Sequence, residues 1–437
     1  MLSFQLRDGV LHVESVPLPE IVTAVGTPAY VYSTAAFRSA ARAFKYGLTP
    51  VVRKHLAFAV KANPNLAVLR LLAAEGYGAD MVSGGEMLRA LAAGIAPRDI
   101  IFSGAGKTDR ELAAALDAGV GQFNLELEEE GLVLSALAEA RGMRASAVLR
   151  VNPDIDAGSH AKISTGRRAG KFGVGIDQAA AIFGRLVALM GLDLRGIAIH
   201  IGSQLVDIAP LEAAYVRVGD LLGTLRGAGY SISHVDLGGG LGSRYRLRER
   251  VLSPVDYGAM AAPITRDWQV NLMFEPGRFV AGEAGVLRTK VLWIKPGDPN
   301  PYVIVDAAMN DLARPALYGA YHEFVAVAPR GGRIVANIAG PVCESGDTFA
   351  MARTIDPVER SDLAVFETAG AWSDDGIKLQ LSRAGPESIG RRRPFCDRHG
   401  SDYAGNIDGI AAFSRLAEDR RADAFSRLTI SPRAVVG

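Results

Sequence analysis

Cysteine is nearly absent. Only Cys343 and Cys396 occur in 437 residues, too few for a disulfide framework or a thiolate metal site. An excess of one charge is missing too: 48 Lys and Arg stand against 47 Asp and Glu, a formal net charge of +1. The arginine run Arg391 to Arg393 is too short to make a nucleic-acid footprint. No apolar stretch is long enough to cross a membrane, since Arg185 interrupts AAIFGRLVALMGL. The opening MLSFQLRDGVLHVESV lacks the basic end and apolar run of a secretory signal. These absences predict a cytoplasmic protein with small-molecule partners, no nucleic acid, no membrane and no metal.

What is present is alternation. The length exceeds what one hydrophobic core usually supports, which predicts a large domain and a smaller one. From about residue 55, short β-branched runs alternate with longer Ala- and Leu-rich helical stretches, the pattern of parallel strands joined by crossover helices. Eight strand candidates can be counted: 55–62, 78–82, 100–104, 122–126, 146–152, 195–202, 234–240 and 271–277. An open doubly wound sheet has the same local patterns, but the count favours a closed (β/α)₈ barrel of the TIM type over residues 36–281. After residue 282 the texture becomes strand-like without regular crossover helices, predicting a C-terminal β domain over 282–437. Residues 1–35 are expected to join it.

In such a barrel the chemistry gathers where strands end. Lys61 closes LAFAV, where partial desolvation would lower its amine pKa toward Schiff-base chemistry; a solvated strand-end lysine is the alternative. His200 closes GIAIH, Gly238, Gly239 and Gly240 close HVDL, and Glu275, Gly277 and Arg278 follow NLMF. The run DLGGGLG lets backbone N–H groups approach a phosphate, or else meets a turn's need for positive φ. It does not fit the dinucleotide fingerprint, because Ser243 stands where the last glycine belongs, and GRRAGKF fails as a phosphate loop.

The ordered strings FAVKANPN, GADMVSGGE, RVNPDIDAGSHAKISTG, KFGVG, HIGSQ, DLGGGLG, EPGR and GPVCESGD cover roughly residues 25 to 370. Together they resemble the alanine-racemase-like (fold type III) class of pyridoxal-phosphate enzymes, and within it the diaminopimelate decarboxylases. The resemblance implies decarboxylation of meso-2,6-diaminopimelate to L-lysine and CO₂, with pyridoxal 5'-phosphate carried by Lys61. It implies that His200 stacks on the cofactor ring and Glu275 faces the pyridine nitrogen. The phosphate would lie on Gly238, Gly239 and Gly240, near Ser203, Gly277 and Arg278. Substrate contacts fall to Arg278, Arg314, Tyr318 and Glu344, and Cys343 matches the residue that returns a proton after CO₂ leaves. In that family CESGD reaches the neighbouring subunit, which implies a homodimer with shared sites. Tyr321 and His322 read equally well as packing residues. Alternative substrates are another basic amino acid or a carboxylated polyamine precursor.

The likeness stops after GAW at Gly370 to Trp372. Trp372 occupies a tyrosine's place, and residues 372–402 lack the family's Tyr-Asn-Ser-Arg. Tyr403 lies too far on to replace it. A reading frame shifted near 372 and restored near 402 would produce this block; an unusual loop is the alternative, and resequencing separates them. Either way the block is expected to weaken cofactor retention, and a catalytically impaired relative is a further reading.

Overall fold

Segments such as GADM and QFNL are buried along their whole length, as strands of a parallel sheet must be when helices cover one face and the barrel interior the other. The computed structural model describes residues 3–156, 166, 170–246 and 248–372, together with the backbone of the strand Leu428–Ser431. Eight parallel strands form the barrel: β1 (Lys54–Ala59), β2 (Gly78–Met81), β3 (Ile100–Phe102), β4 (Gln122–Leu125), β5 (Ala145–Asn152), β6 (Leu192–Ala198), β7 (His234–Asp236) and β8 (Asn271–Phe274). Each pairs with the next, and β8 returns to β1 through Leu272 with Lys54 and Phe274 with Leu56. The barrel expectation is met and the open sheet is excluded. Most strands end earlier than the apolar runs do, so Lys61, His200 and the glycines sit on the loops that follow them.

Local chemistry sets where those loops turn into helices. Ser83 Oγ accepts from Glu86 N at 3.3 Å to open the helix Gly84–Ala92. Thr108 and Glu111 form a reciprocal capping box at the helix Asp109–Ala118, satisfying two amides that would otherwise lack partners.

A second sheet runs in the order Phe324–Ala326, Leu363–Phe366, Gly285–Lys295, Tyr302–Val305, Ile334–Ala339, Thr348–Ile355. The early strand Ala29–Ser33 pairs antiparallel with Gly285 to Arg288, and Leu428–Ser431 pairs with Ala29–Ser33 in turn. The N-terminal strands Phe4–Arg7, Val10–Val13 and Val16–Pro17 form a small sheet of their own. Its residues Leu11, Val13 and Val16 pack with Val31, Val286 and Val365. Residues 373–402, with Cys396 and Tyr403, lie outside the described residues, as do parts of RVNPDIDAGSHAKISTG and GRRAGKF.

The two units meet behind the Lys61 turn. Asn63, fully buried, donates from Nδ2 to Gly370 O at 2.9 Å, and its Oδ1 accepts from Asn65 N at 3.1 Å. Trp372 N donates to Ala62 O at 2.7 Å. Asn63→Ala leaves the Gly370 carbonyl and the Asn65 amide unpaired, which is expected to cost ~1–3 kcal/mol. Urea denaturation of the variant beside the wild type measures it; unchanged stability would show that the junction is held elsewhere.

Candidate active site

Lys61 lies in the 3₁₀ turn Val60–Ala62 immediately after β1, with its side chain 25% exposed, and its Nζ donates to Asp80 Oδ2 at 2.9 Å. Asp80 comes from the end of β2 and is wholly buried. The expected lowering of the Lys61 pKa is not found. Burial does push it down, but the carboxylates of Asp80, Glu275 and Glu86 outweigh burial and raise it above the ordinary lysine value. Strand-end desolvation was legible in the sequence, whereas the convergence on Lys61 of Asp80 in β2, Glu86 in the helix after it and Glu275 after β8 was not.

Those acids are short of partners. Asp80 Oδ1, Glu86 Oε1 and Glu275 Oε1 are buried without a hydrogen bond among the described residues. Glu86 Oε2 accepts from Val82 N at 2.7 Å, yet burial pushes this carboxyl up to about 8. Glu275 is raised well above the carboxylate range, first by burial and then by Asp236 and Asp80. Asp236 is better supplied, accepting from Asn124 Nδ2 at 3.0 Å, Gln122 Nε2 at 3.2 Å and Gly238 N at 2.9 Å. Of the two, Glu275 is therefore the acid that holds a proton. His200 carries the opposite shift: burial, then Arg150 and Lys61, hold it well below its ordinary value and keep the ring neutral. Gly239 N donates to its Nδ1 at 3.3 Å.

The glycine run is required by packing as well as by any ligand. Gly238 and Gly240 have φ of +64° and +133°, and a Cβ on Gly239 would lie 2.1 Å from Glu275 O. The Gly238 and Gly239 amides are committed to Asp236 and His200, while that of Gly240 has no acceptor among the described residues. The turn reading of DLGGGLG is therefore met. Gly277 precedes the short helix Arg278–Ala281 and packs against Ala59 and Ala62.

Arg278 is buried. Its Nε donates to Ser203 Oγ at 3.1 Å and its Nη1 to Tyr245 OH at 2.6 Å, while Trp372 stacks 4.1 Å from its guanidinium. Arg314, also buried, lies 4.4 Å over the Tyr245 ring, and its Nη1 donates to His322 Nε2 at 3.0 Å. His322 Nδ1 in turn donates to Glu367 O at 2.9 Å. Burial and then Arg314 push His322 down to about 3, so it stays a neutral acceptor. Tyr318, half-buried, ends the same short helix, Arg314–Tyr318.

Cys343 and Glu344 are not brought to this cluster within the chain. Both are exposed on the turn between Ile334–Ala339 and Thr348–Ile355. Among the described residues Glu344 Oε1 accepts only from its own turn, from Gly346 N at 3.2 Å and Ser345 Oγ at 3.4 Å. Among the described residues no group of acids, histidines and cysteines could hold a metal ion, and no helix is long and apolar enough to cross a membrane.

Residues 34–282 match the family model described as "Pyridoxal-dependent decarboxylase, pyridoxal binding domain". A diaminopimelate decarboxylase of Zymomonas mobilis is 47% identical over 375 residues, 85% of this chain and 89% of that one. Another, from Pseudomonas aeruginosa, is 44% identical over 85% of this chain and 89% of its own. The chain belongs to the diaminopimelate decarboxylase family. A solved structure of the Helicobacter pylori diaminopimelate decarboxylase, complexed with L-lysine, superposes with a TM-score of 0.79 at 35% identity, covering 82% of this chain and 90% of that one.

Sequence reasoning on this family member missed Asp80, Glu86, Tyr245 and the bonding of His322. GADMVSGGE contains the two acids, and their spacing across a strand end and a helix start was the available signal. Tyr245 had none, since it meets Arg314 across the fold, and the bond from Arg314 to His322 depends on how the short turn between them folds. The raised Glu86 pKa gives a pH test. A buried acid titrating at about 8 instead of 4.5 contributes stability in full below pH 4.5 that is lost as pH rises through 8, at about 1.4 kcal/mol per pH unit. Denaturant melts at pH 5 to 8 should therefore show stability falling in the wild type and much less in Glu86→Gln. Parallel pH profiles would show that another group titrates.

Proposed function

We propose that this chain decarboxylates meso-2,6-diaminopimelate to L-lysine and CO₂, using pyridoxal 5'-phosphate at the C-terminal mouth of the barrel. The observation that supports the cofactor best is the buried, partnerless Glu275 Oε1. A pyridinium N–H is a donor of the right charge for it, and would let Glu275 ionise. The other groups fit as well. His200 offers a neutral ring to stack on, Lys61 an amine to carry the cofactor, and Ser203, Arg278 and the Gly240 amide donors for a phosphate. When bound there, the cofactor would supply an electron sink for the pair left by the broken Cα–carboxylate bond.

The chain's own residues would do the rest. Glu275 keeps a charge against the ring nitrogen, and the Asp236 network behind it fixes its direction. Lys61, with Asp80 beside it, holds or delivers a proton at Nζ. Arg278 and Arg314, on either side of Tyr245, and Tyr318 receive a substrate carboxylate. Two buried guanidinium groups favour a substrate with a carboxylate at its far end over one ending in an ammonium alone, which supports diaminopimelate over ornithine-like substrates. Cys343 and Glu344 stand exposed on their turn. In a head-to-tail homodimer they would complete the neighbour's site, with Glu344 at the distal ammonium and Cys343 returning a proton to the substrate carbon.

Purified protein supplied with pyridoxal phosphate should release CO₂ and lysine in equal amounts from meso-diaminopimelate, and little from ornithine or lysine. No release would refute the proposal. Lys61→Ala should lose the cofactor's protein-bound visible absorption and on the order of 10³-fold or more in kcat; borohydride trapping of cofactor in that variant would place the attachment elsewhere. Glu275→Gln should keep the cofactor and lose roughly ten- to a hundredfold in kcat, because an amide cannot balance the ring's charge. Normal turnover would mean that the ring nitrogen has another partner.

A further inference from the structure

The turn that presents Cys343 and Glu344 is fastened from behind. Asp347, 2% exposed, accepts from Val342 N at 2.7 Å through Oδ2 and from Met309 N at 2.6 Å through Oδ1. Its backbone closes the same turn, since Gly340 N donates to Asp347 O and Asp347 N donates to Glu344 O, each at 2.9 Å. A Cβ on Gly340 would lie 2.3 Å from Asp347 Oδ2, so the carboxylate occupies space that only glycine leaves open. Val342 immediately precedes Cys343. Met309 belongs to the tight loop leading into Arg314, where Ala308 N donates to Asp311 Oδ2 at 2.7 Å and Asp311 N to Ala308 O at 2.8 Å.

We infer that Asp347 is a positioning residue for the reaction, holding the Cys343–Glu344 turn in register with the Arg314 segment of its own chain. The inference rests on the proposed shared-site reaction and deepens it. Arg314 would serve its own chain's site while the turn serves the neighbour's, so one carboxylate spans the supports of two sites. The chemistry demands an acid: two N–H donors face it, and an amide in its place offers one acceptor and sets an N–H against the other donor. Of the two elements, the turn is the one that depends on Asp347. Arg314 has its own anchors in His322 and Tyr245, whereas residues 341–346 are exposed.

The test uses cofactor-loaded Asp347→Asn and, as a second route to the same displacement, Gly340→Ala. Each should leave the visible spectrum and cofactor affinity unchanged and lower kcat/KM on the order of ten- to a hundredfold. The deciding measurement is mixing with Lys61→Ala. In a mixed dimer the site that keeps Lys61 takes its turn from the Lys61→Ala chain, whose Asp347 is intact, so activity should return. The pair Lys61→Ala with Cys343→Ala, which tests shared sites alone, should recover as well. Recovery in that control but in neither Asp347→Asn nor Gly340→Ala mixtures would show that Asp347 acts within its own site or on folding, and would overturn the inference. Recovery in no mixture, with subunit exchange demonstrated, would overturn the shared site and the inference with it. Wild-type kcat/KM in Asp347→Asn would do so directly.

Discussion

A cluster of buried acids around a single lysine governs the chemistry of the Lys61 turn. Asp80 on β2, Glu86 in the helix after it, Asp236 on β7 and Glu275 after β8 converge there, and among the described residues Lys61, bonded to Asp80, is the one cation in an ion pair with any of them. Burial alone would neutralise both kinds of group. Because the acids outnumber the amine, Lys61 is driven toward its charged form while Glu86 and Glu275 are driven toward theirs without charge. Under the proposed function, a cationic ring nitrogen facing Glu275 would offset part of that frustration.

That electrostatic core needs rigid supports, and the fold supplies them from two directions. Barrel closure places the strand ends at fixed spacing, and the glycine run lets β7 pass within contact of the Glu275 backbone. The second sheet reaches over through Asn63, Gly370 and Trp372 to brace the turn bearing Lys61. Arg278 is clamped similarly, between Ser203 and Tyr245 on the barrel side and the Trp372 ring.

Much of this was legible because apolar runs and glycines report local geometry. All eight barrel strands overlap the short apolar runs picked out in the sequence, and Lys61, His200, Glu275 and Arg278 sit at or just beyond the ends of those runs. What escaped was pairwise and non-local. The sign of the Lys61 shift depends on acids whose approach only barrel closure creates. His322 looked like filler because its partners, Arg314 and the Glu367 carbonyl, meet it through a turn and a neighbouring strand. Cys343 and Glu344 were recognised by motif, but nothing in the motif said that they would stand exposed on a turn of the second sheet. The altered block after Trp372 lies outside the described residues.

The strand Ala29–Ser33 is buried along its whole length and finds its partner at Gly285 to Arg288. On the ribosome, a strand of two tyrosines around a valine therefore emerges early and waits for an edge that has not been made. At about 5–20 residues per second, the roughly 250 residues in between take on the order of 10–50 s to synthesise. For that interval the nascent chain exposes a sticky, unpaired strand beside a barrel that is assembling without it. The second sheet can begin to close only after the barrel's last strand has been made, so the order of translation itself separates the folding of the two units.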